Sequence, residues 1–171
     1  MADMLTQGAG ALGREIGAGQ LDPVTLTEKV LDAIASHPMA PRIYARTSPD
    51  RALAEAKAAR DRAKAGTRRG PLDGVPVSWK DLFDTAGCAT EAGSKLLEGR
   101  VPEADAAVVA TAAARGLVGL GKTHMSELAF SGLGLNPVME TPVPTYGSCQ
   151  GRPTRARPPW PPRQHQLQAR G

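Results

Sequence analysis

Aromatic residues are scarce in this chain, since Phe, Trp and Tyr make up only 4% of its 171 residues. Alanine and aliphatic side chains must therefore fill most of the core of one modest domain. Cysteine is nearly absent as well. Cys88 and Cys149 stand in unrelated contexts without a Cys-x-x-Cys spacing, which argues against a disulfide or a zinc site. We predict neither a metal nor a cofactor.

A targeting segment and a long apolar run are also missing. The first 19 residues lack the basic start and apolar stretch of a signal peptide. No apolar run is long enough to cross a bilayer. We therefore expect a soluble, cytoplasmic protein with no membrane partner, and the oligomeric state stays open.

Acidic residues are absent from the last part of the chain. Residues 1–140 hold 16 basic and 17 acidic residues, whereas residues 141–171 hold five arginines and no acid. The formal net charge of +4 therefore belongs to this tail and not to the body. The short basic loop Thr67-Arg68-Arg69 has no interleaved aromatic residue, so we predict a connecting loop, and a nucleic-acid partner is not expected.

Hydrophobic periodicity predicts alternating helices and strands. Leu26, Val30 and Ile34 recur every fourth residue after a capping-box spacing at Thr25 and Glu28, which indicates a helix that ends near His37. A second helix is predicted from Ser48 to Gly66 and a third from Pro102 to Arg115. Short strands are predicted at residues 43–45, 75–80 and 117–121. The last two flank the third helix and predict a β–α–β crossover with parallel strands.

The stretch from Gly70 to Asp81 is a Gly- and Pro-punctuated turn followed by a short strand that ends on Lys80. A lysine held there beside buried surface would have a lowered pKa and could act as a base. The alternative is a surface lysine at the end of an edge strand, which is the usual state of a lysine. The residues alone favour that alternative.

Other candidate residues have simpler explanations. Gly121-Lys122-Thr123 lacks the first glycine of a phosphate-binding loop, so we discard that motif. Loop or capping roles are predicted for three serines and for His124, and a packed position is predicted for Cys88. For the two acids beside Lys80 we predict capping or a salt bridge to a nearby lysine, although Asp81 would also keep a lysine charged. The three serines are Ser94, Ser131 and Ser148, and the two acids are Asp81 and Asp84.

Several of these stretches together resemble the amidase signature family. The resemblance covers roughly residues 24–142 and rests on the order and spacing of its motifs. These are Pro71-Leu72-Asp73-Gly74-Val75-Pro76-Val77-Ser78-Trp79-Lys80-Asp81, Gly93-Ser94, Asp105-Ala106-x-x-Val109, Gly121-Lys122-Thr123-x-Met125-x-Glu127-Leu128-Ala129 and Asn136-Pro137.

The resemblance implies an α/β fold in which helices flank a mixed β-sheet, of which this chain holds an incomplete N-terminal portion. It also implies a serine hydrolase that cleaves the C–N bond of a small-molecule carboxamide. The catalytic unit of such enzymes is a nucleophilic serine, a bridging serine after a cis peptide, and a lysine that matches Lys80. An oxyanion hole of backbone N–H groups completes the centre.

The chain departs from the family pattern in its last part. Both family serines lie in a Gly/Ser-rich segment, but the corresponding residues here, 154–167, contain no serine. We therefore predict an amidase-domain portion over residues 1–145 and a Pro/Arg-rich, disordered tail over residues 146–171. We predict that a shifted reading frame produces this tail, because the codons of residues 163–167 read one base later permit Gly-Ser-Thr-Ser-Ser.

Two alternatives to a simple amidase stay open. One is a protein similar to the A subunit of glutamyl-tRNA(Gln) amidotransferase. The other is a catalytically inactive fragment whose basic tail binds acidic partners. For the chain as written we predict no turnover.

Overall fold

The structure is a computed structural model that describes residues 4–132 and 135–139. In the described residues, three strands form one small mixed sheet among five α-helices. The strands are β1 (Tyr44–Thr47), β2 (Pro76–Lys80) and β3 (Val118–Thr123); the helices are α1 (Ala9–Gly17), α2 (Pro23–Ser36), α3 (Ala40–Ile43), α4 (Pro49–Lys64) and α5 (Ala107–Ala114). Three short 3₁₀ turns span Met4–Thr6, Lys95–Leu97 and Glu127–Ala129.

The sheet has the strand order β1-β3-β2. Strand β3 lies in the middle and pairs in parallel with β2 and antiparallel with β1. Helix α5 lies between the two parallel strands in the chain, so the predicted β–α–β crossover is confirmed, and so is the mixed sheet. The predicted boundary at residue 145 and the tail that follows lie outside the described residues.

Helix α2 begins three residues earlier than the capping-box spacing indicated. Asp22, not Thr25, is its N-cap, and the Asp22 carboxylate accepts a hydrogen bond from the Val24 N–H at 2.8 Å. Pro23 occupies the first helical turn, where its missing N–H costs nothing. Helix α2 ends at Ser36, which agrees with the predicted end near His37, and Pro41 lies within the single turn of α3.

Small residues allow α4 to pack closely against the sheet. Ala52 and Ala56 are fully buried in a cluster with Val118 and Leu120 of β3. Ala59 is buried too, so alanines form the buried face of this helix. A second cluster joins α1 and α2 to the turn before β2; its buried members are Leu12, Ile16, Leu21, Leu26 and Val75.

Helix α5 is shorter than the helix predicted over residues 102–115. Val109 is buried, but Val108 is 47% exposed. Residues 102–106 precede the helix as an irregular loop. They are held by Asp105, which receives two hydrogen bonds from Arg51 of α4 and one from the Ala86 N–H. This pairing explains why the helix begins only after Asp105.

A bulge in β3 sets the direction of the side chains near its end. The register with β2 shifts between Val77 and Ser78, opposite Gly121. Gly121 has a φ of 152°, and a Cβ atom there would lie 2.4 Å from the Arg46 carbonyl oxygen. Only glycine fits such a position. Lys122 follows directly and lies inside β3, which extends to Thr123, two residues beyond the predicted strand end.

Candidate functional site

Lys80 is the last residue of β2, and its side chain is exposed. Its backbone pairs with Thr123 of β3, and its carbonyl oxygen accepts the Phe83 N–H at 3.0 Å. Among the residues that the structure describes, its ammonium group makes no hydrogen bond or ion pair. Trp79 packs edge to face against Phe83 with ring centroids 5.8 Å apart, and this contact anchors the strand end.

The exposed position of Lys80 agrees with the alternative that the residues alone favoured. β2 is an edge strand of the described sheet, and Lys80 stands at its end. The side chain is therefore accessible to a partner group from outside the described residues.

Asp81 is buried directly after Lys80, and all of its hydrogen-bonding groups are paired. The backbone N–H donates to the Thr123 carbonyl at 3.0 Å, and the backbone carbonyl accepts the Ala92 N–H at 2.9 Å. One carboxylate oxygen accepts a hydrogen bond from Arg46 at 2.7 Å, and the other accepts one from the Glu91 N–H at 3.2 Å. A strand end held by so many bonds has little freedom to move.

Lys122 of β3 is the ion-pair partner of Asp81 and is fully buried, with 0% of its surface exposed. Its Nζ donates to Thr90 Oγ1 at 2.7 Å and lies 3.3 Å from Asp81 Oδ1. Burial lowers the pKa of Lys122 below its ordinary value, while the Asp81 carboxylate acts against that shift. The predicted salt bridge between Asp81 and a nearby lysine is thus confirmed.

Arg46 of β1 completes this group of charges. It donates to the Ala89 carbonyl at 2.7 Å and forms a salt bridge with Glu91 in addition to its bond with Asp81. Each of the three strand ends therefore contributes one charge to the cluster. We call Arg46, Asp81, Glu91 and Lys122 the buried charge cluster; it contains two cations and two anions.

A second polar group lies next to the cluster. Ser94 is fully buried, and its Oγ donates to Glu127 at 2.8 Å and accepts the Leu96 N–H at 3.3 Å. Asn136 is buried as well and donates to the carbonyls of Gly93 and Met125. These bonds join three separate loop segments at one side of the sheet. They also confirm that Ser94 is a capping serine.

The other candidate residues are spread around this end of the molecule. Asp84 makes two hydrogen bonds with Arg100 and so pairs with an arginine, not with a lysine. His124 Nε2 lies 3.0 Å from the Pro41 carbonyl oxygen. Cys88 is half-buried and accepts a bond from Ser48. The Ser131 carbonyl accepts a bond from Ser126. Ser148 and Cys149 lie outside the described residues.

Sequence reasoning placed Lys80 and Asp81 at one strand end but missed three members of the buried charge cluster. Arg46 and Glu91 carry no motif of their own. Lys122 could have been found, because it lies in an otherwise uncharged strand and a buried charged residue needs a partner.

Neither a metal site nor a membrane span is found in the part of the chain that the structure describes. No group of three His, Cys, Asp or Glu side chains is arranged there to hold an ion. None of the described helices has the length and apolar character needed to cross a membrane.

Comparisons with known proteins agree on one relationship. The family model described as Amidase matches residues 25–149. The A subunit of glutamyl-tRNA(Gln) amidotransferase from Acidothermus cellulolyticus is 41% identical over 129 residues, which cover 75% of this chain and 26% of that protein. Its counterpart from Anaeromyxobacter dehalogenans is 45% identical over 120 residues, which cover 68% of this chain and 24% of that protein.

A solved structure with the same fold is the peptide amidase from Stenotrophomonas maltophilia. It is 38% identical, and the match has a TM-score of 0.66 and covers 71% of this chain and 25% of the peptide amidase. The chain therefore spans about a quarter of the length of the relatives that it matches.

Proposed function

This chain belongs to the amidase family, and we propose that it supplies the lysine of an amide-hydrolysing centre, with Lys80 as the base of a Ser–Ser–Lys relay. The observation that carries the proposal is the position of Lys80. It lies within the matched residues, at the exposed carboxyl end of a strand in a parallel pair. Functional groups of α/β proteins are often found at such strand ends.

In the proposed reaction, the neutral Lys80 amine takes a proton, through the bridging serine, from the nucleophilic serine. The nucleophile attacks the amide carbonyl, and backbone N–H groups stabilise the oxyanion. The C–N bond breaks as the leaving amine or ammonia gains a proton from the relay. Water then hydrolyses the acyl-enzyme and releases a carboxylic acid.

The 171-residue chain should not catalyse this reaction by itself. No serine follows Ser148, so neither of the two family serines has a counterpart in residues 154–167. We expect no hydrolysis of a simple carboxamide by the purified chain above a buffer blank. Turnover that is lost in a Lys80→Ala variant would contradict this expectation and would require a replacement nucleophile.

A chimera tests the role of Lys80 directly. Residues 25–142 of this chain would replace the matching part of the Stenotrophomonas peptide amidase, which supplies the remaining part of the domain. We expect the chimera to hydrolyse a peptide amide, and Lys80→Ala to lower kcat by about 10²–10⁴-fold. Lys64→Ala, at an exposed helix end, serves as the control. An active Lys80→Ala chimera would rule out the relay.

A component of an amidotransferase is the second candidate, favoured by the names of the curated relatives. If it holds, the tagged chain should co-purify with the other subunits of such an enzyme. A chain that never co-purifies favours a free amidase.

The third candidate is an inactive fragment with a basic binding tail at residues 146–171. Salt-sensitive binding of a polyanion by the isolated tail would favour it. The cytoplasmic location also remains a prediction, and cell fractionation tests it.

A further inference from the structure

Lys80 and Asp81 are neighbours in the chain, and their charges conflict with the proposed role of Lys80. A carboxylate beside an amine favours the charged, protonated form of that amine. A lysine that acts as a base must instead release its proton. The structure contains an arrangement that reduces this conflict.

The side chains of Lys80 and Asp81 have opposite environments. Successive side chains of an extended strand point to opposite faces. Lys80 is exposed, while the Asp81 side chain is only 2% exposed and contacts two cations. Arg46 lies 2.7 Å and Lys122 lies 3.3 Å from the same carboxylate oxygen. The negative charge of Asp81 is therefore compensated inside the protein.

We propose that Lys122 and Arg46 are positioning residues that neutralise Asp81 and hold its carboxylate on the buried face, so that the Lys80 amine releases its proton more readily. This inference rests on the proposed function, in which Lys80 is the base. The charge balance itself can be measured on Lys80 in the chain as it stands.

The buried charge cluster is balanced, so each single neutralisation leaves a net charge of known sign. Removing the Lys122 ammonium leaves one excess negative charge, and removing the Asp81 carboxylate leaves one excess positive charge. The charged and titratable groups on the elements around this strand end are Arg46, Lys80, Asp81, Asp84, Cys88, Glu91, Arg100, Lys122, His124 and Glu127.

Trace acetylation of the full 171-residue chain, read by mass spectrometry, measures how readily each amine loses its proton. The reaction is run at low ionic strength and pH 8, where the labelling rate follows the small fraction of free amine. Exposed Lys57 is the internal reference. Coulomb's law for one unit charge added or removed near an amine in water gives a change of about 2.5-fold in labelling rate.

Two variants should shift the labelling of Lys80 in opposite directions. We expect Lys122→Met to slow it about 2.5-fold and Asp81→Asn to speed it about 2.5-fold. The double variant should return to the original rate, because its cluster is again neutral. Lys29→Met and Glu98→Gln make the same charge changes at exposed positions and should leave the rate unchanged.

A merely structural role gives a different result. If the variants only loosened the strand end, Lys80 labelling would move in the same direction in both, and the proposal would be overturned. Far-UV circular dichroism checks that each variant is folded. If Lys122→Met does not fold, two other variants test the proposal. We expect Asp81→Asn to speed the labelling of Lys80, and the charge-preserving Lys122→Arg to leave its rate unchanged.

The labelling result is independent of the chimera. Loss of activity without opposite labelling shifts would leave the relay standing and refute the charge balance. Opposite labelling shifts together with an active Lys80→Ala chimera would support the charge balance and refute the relay.

Discussion

At the scale of single residues, the buried ammonium of Lys122 carries a large desolvation cost. Removal of an ammonium from water costs several kcal/mol, and the cost is offset only if the group finds close partners. Lys122 has two such partners, Thr90 and Asp81. Arg46 and the Glu91 N–H bind the same aspartate, so the ion pair is part of a larger set of bonds.

A substitution of Lys122 should therefore destabilise the fold. We expect Lys122→Met to lower the free energy of unfolding by about 2–3 kcal/mol, because Asp81 loses one of its two cations and the Thr90 hydroxyl loses the hydrogen bond that it accepts from the Lys122 ammonium. Urea denaturation followed by circular dichroism measures the change. Lys57→Met, at an exposed site on α4, should change the stability by less than about 0.5 kcal/mol. A fully stable Lys122→Met chain would show that the ion pair contributes nothing to folding.

At the scale of elements, a bidentate ion pair joins α4 to the loop before α5. Arg51 binds both carboxylate oxygens of Asp105, and the Ala86 N–H binds one of them. The hydrogen bonds from Arg51 lower the pKa of Asp105 below its ordinary value; burial acts against the shift, and the Ala86 N–H adds to it. The folded chain thus binds a proton at Asp105 less readily than the unfolded chain does.

This shift predicts how stability depends on pH. A carboxylate with a lowered pKa in the folded state contributes stability above its unfolded pKa of about 3.9, and the contribution is lost as the pH falls through the folded pKa. We expect Asp105→Asn to reduce the free energy of unfolding by about 1.5 kcal/mol at pH 7. The difference from the original chain should shrink steadily below about pH 4.

Urea denaturation between pH 7 and pH 2.5 checks the pH dependence. Glu103→Gln, at an exposed position in the same loop, is the matched control and should follow the original chain. A difference at Asp105 that stays constant over this range would contradict the assignment.

The elements also show what the sequence could and could not predict. Periodicity and turn residues located α2, α4 and the strand that ends on Lys80, because these features depend on local chemistry. The bulge at Gly121 escaped prediction, since it depends on the close approach of Arg46 from another strand. The buried charge cluster escaped for the same reason, because its members lie far apart in the chain and meet only in the fold.

At the scale of the whole molecule, the described residues leave several large apolar side chains uncovered. Phe130 is 95% exposed and Leu96 is 84% exposed. Leu128 and Leu135 are exposed too. Hydrogen bonds from Ser94 to Glu127 and from Asn136 to Gly93 join the loops that carry these side chains. A set of exposed apolar side chains on adjoining loops, next to the edge strand β2, favours self-association.

The purified chain should accordingly aggregate at micromolar concentration. We expect the double variant Phe130→Ser and Leu96→Ser to reduce light scattering severalfold, because it removes the two most exposed large apolar side chains of the described residues without touching the core. Leu5→Ser changes another exposed leucine, distant in sequence from these loops. It is the matched control and should leave the scattering unchanged. An original chain that stays monomeric at that concentration, with no scattering to remove, would refute this prediction.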